Sequence, residues 1–217
     1  RKLRTELYRN FGCYPDLDQL TEATASKPKL LDWTLDKVAR SFIQQRERMM
    51  DVIEGLVEDK LDEFCPSRGH AEDWDLPALK VALKEQFNLD IDVELKLAER
   101  EREILGAKVW KQIETRIETK EIELGLIPFY YFSRFFMLEE IDGAWIEHLK
   151  SMDHLREGIS LRGYGQKDPK QEYKKEGFEM FGQMLGRING NVANKLFRLE
   201  LASREDERER AIAEAKH

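Results

Sequence analysis

The chain has 217 residues, 36% charged and 41% apolar, with a formal charge of −7. That is enough apolar material for a core, and too acidic for general nucleic-acid binding, whose affinity depends on neutralising many phosphates. Thirteen glycines, six prolines and few β-branched runs point to a mostly helical protein. Cys13 and Cys65 are far apart in sequence and outside any CxxC or Cys/His pattern, so neither a disulfide framework nor a zinc site is expected and a reducing compartment is the default.

The opening RKLRTELYRNF, residues 1–11, reads as the end of a helix. It has no initiating Met and no apolar signal core, as expected of a piece of a longer protein. Residues 12–29 are rich in turn formers and read as a surface loop or short helices. From Leu30 to about Phe64, Leu31, Leu35, Val38, Phe42, Met49, Ile53, Leu56, Val57 and Leu61 recur at helical spacing, predicting one helix or a pair.

Pro66 and Gly69 break that pattern. Asp75 then offers an N-cap, with Pro77 in the first turn of a helix from Leu76 to Phe87 that buries Leu79, Leu83 and Phe87. The segment LDIDVELKL, 89–97, alternates as a half-buried strand would. Without a partner strand, an extended segment crossing a helical surface is expected. A charged helix over about 98–124 should present Ile104, Val109, Ile113 and Ile117 on one side and end at Gly125.

The last part is the most patterned. A helix opened by Pro128 carries Phe132, Phe135, Leu138, Ile141, Trp145, Leu149, Met152, Leu155 and Ile159 as one stripe. A turn at 162–170 with Gly163, Gly165 and Pro169 precedes a second stripe of Phe178, Phe181, Leu185, Ile188, Val192, Leu196 and Leu199. Two such stripes joined by a short turn predict an antiparallel helical hairpin. The fold class is therefore all-α. Gly182, Gly186 and Gly190 form a GxxxGxxxG series, interrupted by Arg187 and Asn189 and read as close packing against a soluble helix. The tail 202–217 mixes charges of both signs and reads as a frayed helix or linker.

Catalytic patterns are missing. There is no GxxxxGK[ST], no GxGxxG and no HExxH, and His148 and His154 are six apart rather than at ligand spacing on one face. No catalytic residue and no metal ligand is assigned, and no cofactor is expected in this part of the chain. The hairpin turn is different. Between Arg156 and Lys175 six basic residues stand against three acidic ones, in an acidic chain, and Tyr164 sits between two glycines. An aromatic in such a turn is a contact element, and the local positive charge suits an acidic surface or anionic lipid headgroups.

The stretch FMLEEIDGAWIEHLKSMDHLREGISLRGYGQKDPKQEYKKEGFEMFGQML, residues 136–185, closely resembles the two-helix finger of the SecA preprotein translocase motors. The upstream EDWDLPALKVALKEQFNLDID resembles their helical wing domain, and RKLRTELYR the end of the scaffold helix before it. The resemblance is strong over roughly 50–201. It implies the end of a long scaffold helix at 1–11, a wing at 12–127 with a family-atypical insertion near 12–45, a two-helix finger at 128–201 and a charged linker at 202–217.

In such motors ATP and magnesium are bound by nucleotide-binding domains outside this region. The expected partners are those domains, the SecYEG channel and unfolded preprotein, with anionic phospholipid as a further possibility. The location would be cytoplasmic, peripheral at the inner face of the bacterial plasma membrane. By position in LRGYGQKDP, the resemblance implies that Tyr164, with Arg162, Gly163, Gly165 and Lys167, touches the moving polypeptide, and that Trp145 lies on a helix restraining the ATPase. Two alternatives stay open from the residues alone: a structural helical interaction module, and a nucleic-acid-binding hairpin that stacks bases on Tyr164.

Overall fold

The computed structural model describes residues 2–16, 26–68, 70–94, 101–162 and 168–200, with 160–162 described as backbone only. These residues are mostly helical and contain no strand. The helices are α1 (Lys2–Phe11), α2 (Lys27–Phe64), α3 (Leu76–Phe87), α4 (Arg102–Leu124), α5 (Leu126–Arg162) and α6 (Pro169–Arg198), with one 3-10 turn at Ala71–Asp73. The all-α expectation holds.

Local chemistry explains the helix ends. Asp75 accepts from the Ala78 amide at 3.0 Å and Pro77 lies in the first turn, which together start α3. Asn88 closes it in the left-handed conformation, φ 46°. Asp168, counted as a loop charge in the sequence, accepts from the Lys170 amide at 3.0 Å and caps α6, with Pro169 behind it. Gly125 alone separates α4 from α5. Its φ of 81° and ψ of 149° lie in a region essentially confined to glycine, which allows the turn to be one residue long.

α2 is one continuous helix of 38 residues rather than a pair. Its stripe is buried only in the second half, at Ile53, Val57 and Leu61; Leu31 and Leu35 are each 59% exposed. The main core joins those three residues to Leu79, Leu83 and Phe87 of α3, to Val109, Ile113 and Ile117 of α4, to Phe129 and Tyr130 of α5, and to Ile188, Val192, Leu196 and Phe197 of α6. On α4 the fourth core residue is Leu105, while Ile104 is exposed. The i, i+4 ladder 105–109–113–117 runs straight down the buried side, and Ile104 is one position out of phase.

Between α3 and α4, alternation is kept without a strand. Ile91 and Val93 are buried while Asp90, Asp92 and Glu94 are exposed. Residues 95–97 of the alternating stretch lie outside the described residues.

The hairpin of α5 and α6 forms as expected, but its seam is shifted. Ala144 and Ile159 are buried and Glu140, His148, Met152 and Leu155 half-buried, whereas Phe135, Leu138, Ile141, Trp145 and Leu149 are exposed. α5 carries apolar residues on more than one face, so spacing alone does not separate the seam from a second apolar surface. The glycine series also differs from expectation. A Cβ at Gly182 or Gly186 would meet nothing within 4 Å, and one at Gly190 would reach only the Gln86 side chain at 3.6 Å. The close approach in the hairpin is at Gly177, where a Cβ would come within 2.9 Å of Met152 Cε.

Candidate functional site

The hairpin is the candidate interaction element. At 1.5 Å per residue, α5 is about 55 Å long and α6 about 45 Å. Charged pairs brace the pair along one side. Lys195 bonds Glu140 at 2.8 Å as well as Glu139, Asn191 donates to Glu140 at 2.8 Å, and Arg187 pairs with Glu147 at 2.8 Å. Hydrogen bonds from Lys195 and Asn191 hold the Glu140 carboxyl below the usual carboxylate range, and Glu139 and Glu140 push Lys195 up.

Another surface of the hairpin is apolar and open. Leu138, Ile141, Trp145 and Leu149 follow one face of α5, and Phe178, Phe181 and Leu185 one face of α6. His148 bridges them, its ring 5.8 Å from both Trp145 and Phe181. Trp145, expected on a regulatory helix, is 46% exposed on this surface and is not a core residue. An exposed aromatic surface of this extent is a candidate contact surface.

Among the turn residues, Arg162 ends the α5 backbone; Gly163, Tyr164, Gly165 and Lys167 lie outside the described residues. The turn is bracketed by the end of α5 and the Asp168 cap of α6. Among the described residues, no group of three or more His, Cys, Asp or Glu could hold a metal ion, and no helix is long and apolar enough to cross a membrane.

At its base the hairpin meets the α2–α4 body through residues that sequence spacing left unmarked. Gln86 of α3 donates to the Gly190 carbonyl at 2.7 Å. Asn194 of α6 donates to the Glu85 and Gln86 carbonyls at 2.6 and 3.2 Å. The rings of Phe87 and Phe197 cross edge to face at 5.1 Å. Lys120 of α4, only 2% exposed, donates to the Leu199 carbonyl at 2.5 Å, and burial pushes its pKa down. The period of α4 passes through position 120, three residues after Ile117, and gave no reason to expect an ammonium group there.

A cavity of about 550 Å³ lies between α1, α2, α5 and α6. Beside it Arg134 donates to Gln45 and to the Arg9 and Asn10 carbonyls, and Ser41 and Gln45 donate to the Phe11 carbonyl, at 3.2 and 2.9 Å. The last carbonyls of α1, which no helical amide can reach, are satisfied by side chains of α2 and α5.

Comparison with known proteins agrees with this architecture. The chain is 35% identical over 205 residues to the protein translocase subunit SecA of Sorangium cellulosum, covering 94% of this chain and 20% of the relative. It is 42% identical over 187 residues to the Anaeromyxobacter subunit of the same name, covering 82% and 20%. Against the Myxococcus xanthus subunit the identity is 39% over 173 residues, covering 80% and 18%. The chain thus spans about one fifth of the length of the curated relatives it matches. Residues 36–200 match the family described as SecA Wing and Scaffold domain, and the chain belongs to that family.

Proposed function

We propose that this chain is the wing and finger portion of an ATP-driven motor that moves unfolded preproteins through the SecYEG channel. In this reading α2–α4 form the wing, α5 and α6 the finger, and Tyr164 at the turn touches the polypeptide in transit. Arg162, Gly163, Gly165 and Lys167 give the turn its charge and backbone freedom. The observation that carries the reading is the hairpin: two helices of 37 and 30 residues packed against each other and flanking LRGYGQKDP. A braced pair moves its tip with little internal deformation, and a tyrosine between glycines offers apolar area and a hydroxyl to varied side chains.

The open surface around Trp145 serves, in the same reading, as the contact through which the finger restrains the ATPase. Chemistry belongs to nucleotide-binding domains elsewhere in the longer protein, which take ATP and magnesium; this portion carries none of its own. The motor works in the cytoplasm, peripheral to the inner face of the plasma membrane, where the basic turn also suits anionic phospholipid.

The test is Tyr164→Ala in the full-length motor. Translocation of an unfolded preprotein should fall tenfold or more while ATP hydrolysis persists. Unchanged translocation by a folded variant would reduce the turn to an inert connection. A salt-titrated assay with single-stranded nucleic acid should give no binding above background, and saturable binding would favour base stacking on Tyr164 instead.

A further inference from the structure

We infer that the joint between the α2–α4 body and the root of the hairpin sets the angle of the hairpin, and that Asn194 and Lys120 are positioning residues for its stroke. The stroke itself rests on the reading just given; the joint is a matter of geometry. Both hairpin helices are rooted in the body. α5 follows α4 after the single residue Gly125, so its direction is tied covalently to α4. α6 is held over 190–199 by Gln86 on the Gly190 carbonyl, Asn194 on the Glu85 and Gln86 carbonyls, the Phe87–Phe197 contact and Lys120 on the Leu199 carbonyl.

The polar contacts in this joint are unusual in kind. Each runs from a side chain to a backbone carbonyl of the other unit, and three of the four carbonyls belong to a helix C-terminus, where no intrahelical amide is available. Asn194 completes the end of α3, and Lys120 caps the end of α6, where the helix dipole also favours a cation. A side-chain pair could re-form after sliding by a turn. Contacts to terminal carbonyls exist at one register only, so they fix rotation and translation together.

What the joint fixes is amplified outward. The central core ends at Ala144 on α5 and Met184 on α6, leaving about 27 Å of hairpin from Ala144 to Arg162. From Asn194 to Pro169 α6 extends about 38 Å, so a rotation of about 10° at the root displaces its far end by about 7 Å. Small movements of the body would therefore become usable movements of the turn.

The experiment uses the full-length protein with spin labels at exposed Val81 on α3 and exposed Glu179 on α6, in the parent and in Lys120→Met, Asn194→Ala and Asn194→Asp variants. Lys120→Met keeps chain length and apolar packing, and Asn194→Asp sets a carboxylate against terminal carbonyls, so the two break the joint by different chemistry. Melting curves confirm that each variant is folded.

The joint predicts a broadened or shifted label distance in Lys120→Met and Asn194→Asp. It also predicts at least a fivefold loss of preprotein translocation in a folded protein that still hydrolyses ATP. Unchanged distances overturn the joint as the determinant of the angle. Altered distances with translocation intact, in a protein that Tyr164→Ala disables, overturn the positioning role and leave the tip reading standing. If Tyr164→Ala has no effect, the tip reading fails alone, because the label distances decide the joint independently.

Discussion

Gln112 holds Asp92 by both sides of its backbone: the amide of Asp92 donates to Gln112 Oε1 at 2.8 Å, and Gln112 Nε2 donates to the Asp92 carbonyl at 2.9 Å. A single side-chain amide thereby supplies the pairing that a neighbouring strand would give, and Ile91 and Val93 stay buried on either side. Gln112→Ala should lower stability by about 1–2 kcal/mol, two ordinary hydrogen bonds. Native-state hydrogen exchange at Asp92 should accelerate. Unchanged exchange would show that the apolar residues alone hold the segment.

A helical glycine and a linking one should respond with opposite sign. Gly186 lies in α6 with open space where a Cβ would go, so Gly186→Ala should stabilise by about 0.5–1 kcal/mol through helix propensity. Gly125, at φ 81°, should lose about 1–3 kcal/mol on conversion to alanine. Urea denaturation of the two variants beside the parent measures both. A stabilised Gly125→Ala would contradict the backbone conformation described.

Lys120 makes stability depend on alkaline pH in a definite direction. Burial lowers its pKa in the folded state, so between that pKa and the ordinary lysine value of about 10.5 the unfolded chain binds more protons. The penalty is complete below the folded pKa and fades as pH rises toward 10.5. Lys120→Met should therefore match or exceed the parent in stability at neutral pH, since an apolar isostere avoids the buried charge. Its advantage should shrink as pH increases. Denaturation of both proteins at pH 7, 9 and 10 isolates the effect, and a widening gap would reverse the sign.

On the acid side the informative group is Glu140. Its folded pKa is depressed by hydrogen bonds from Lys195 and Asn191, so its contribution is present above the ordinary value and lost as pH falls through the depressed one. Because Lys195 is partly exposed, Glu140→Gln should cost no more than about 1 kcal/mol. The cost should be constant from pH 6 to 9 and fade as pH falls below the usual carboxylate range. A pH-independent difference would assign the effect to packing.

Legibility in the sequence followed the physics of each element. α3 could be read nearly complete because its cap, its proline and its three core residues are local signals. The hairpin could be read as a hairpin because long stripes around a Gly/Pro turn have few alternatives. Which face of α5 meets α6 could not, because Ile141, Trp145 and Leu149 are as apolar as the seam beside them. On α4, Ile104 and Leu105 are adjacent, and only tertiary packing selects between them. The root contacts of Gln86, Asn194 and Lys120 were invisible for another reason: each targets a backbone carbonyl, and a carbonyl leaves no mark in the sequence. The tip rests on a resemblance and on the oddity of Tyr164 among glycines and cations, and residues 163–167 lie outside the described residues.

The capping of α1 has a consequence for biosynthesis. Its Phe11 carbonyl is bonded by side chains 30 and 34 positions downstream, and its Arg9 and Asn10 carbonyls by Arg134, 125 and 124 positions downstream. A nascent chain leaving the ribosome can pair the first of these once α2 has emerged. The others must wait, solvated, until the early part of α5 has been synthesised. Completion of this helix end is thus tied to translation of more than 120 further residues.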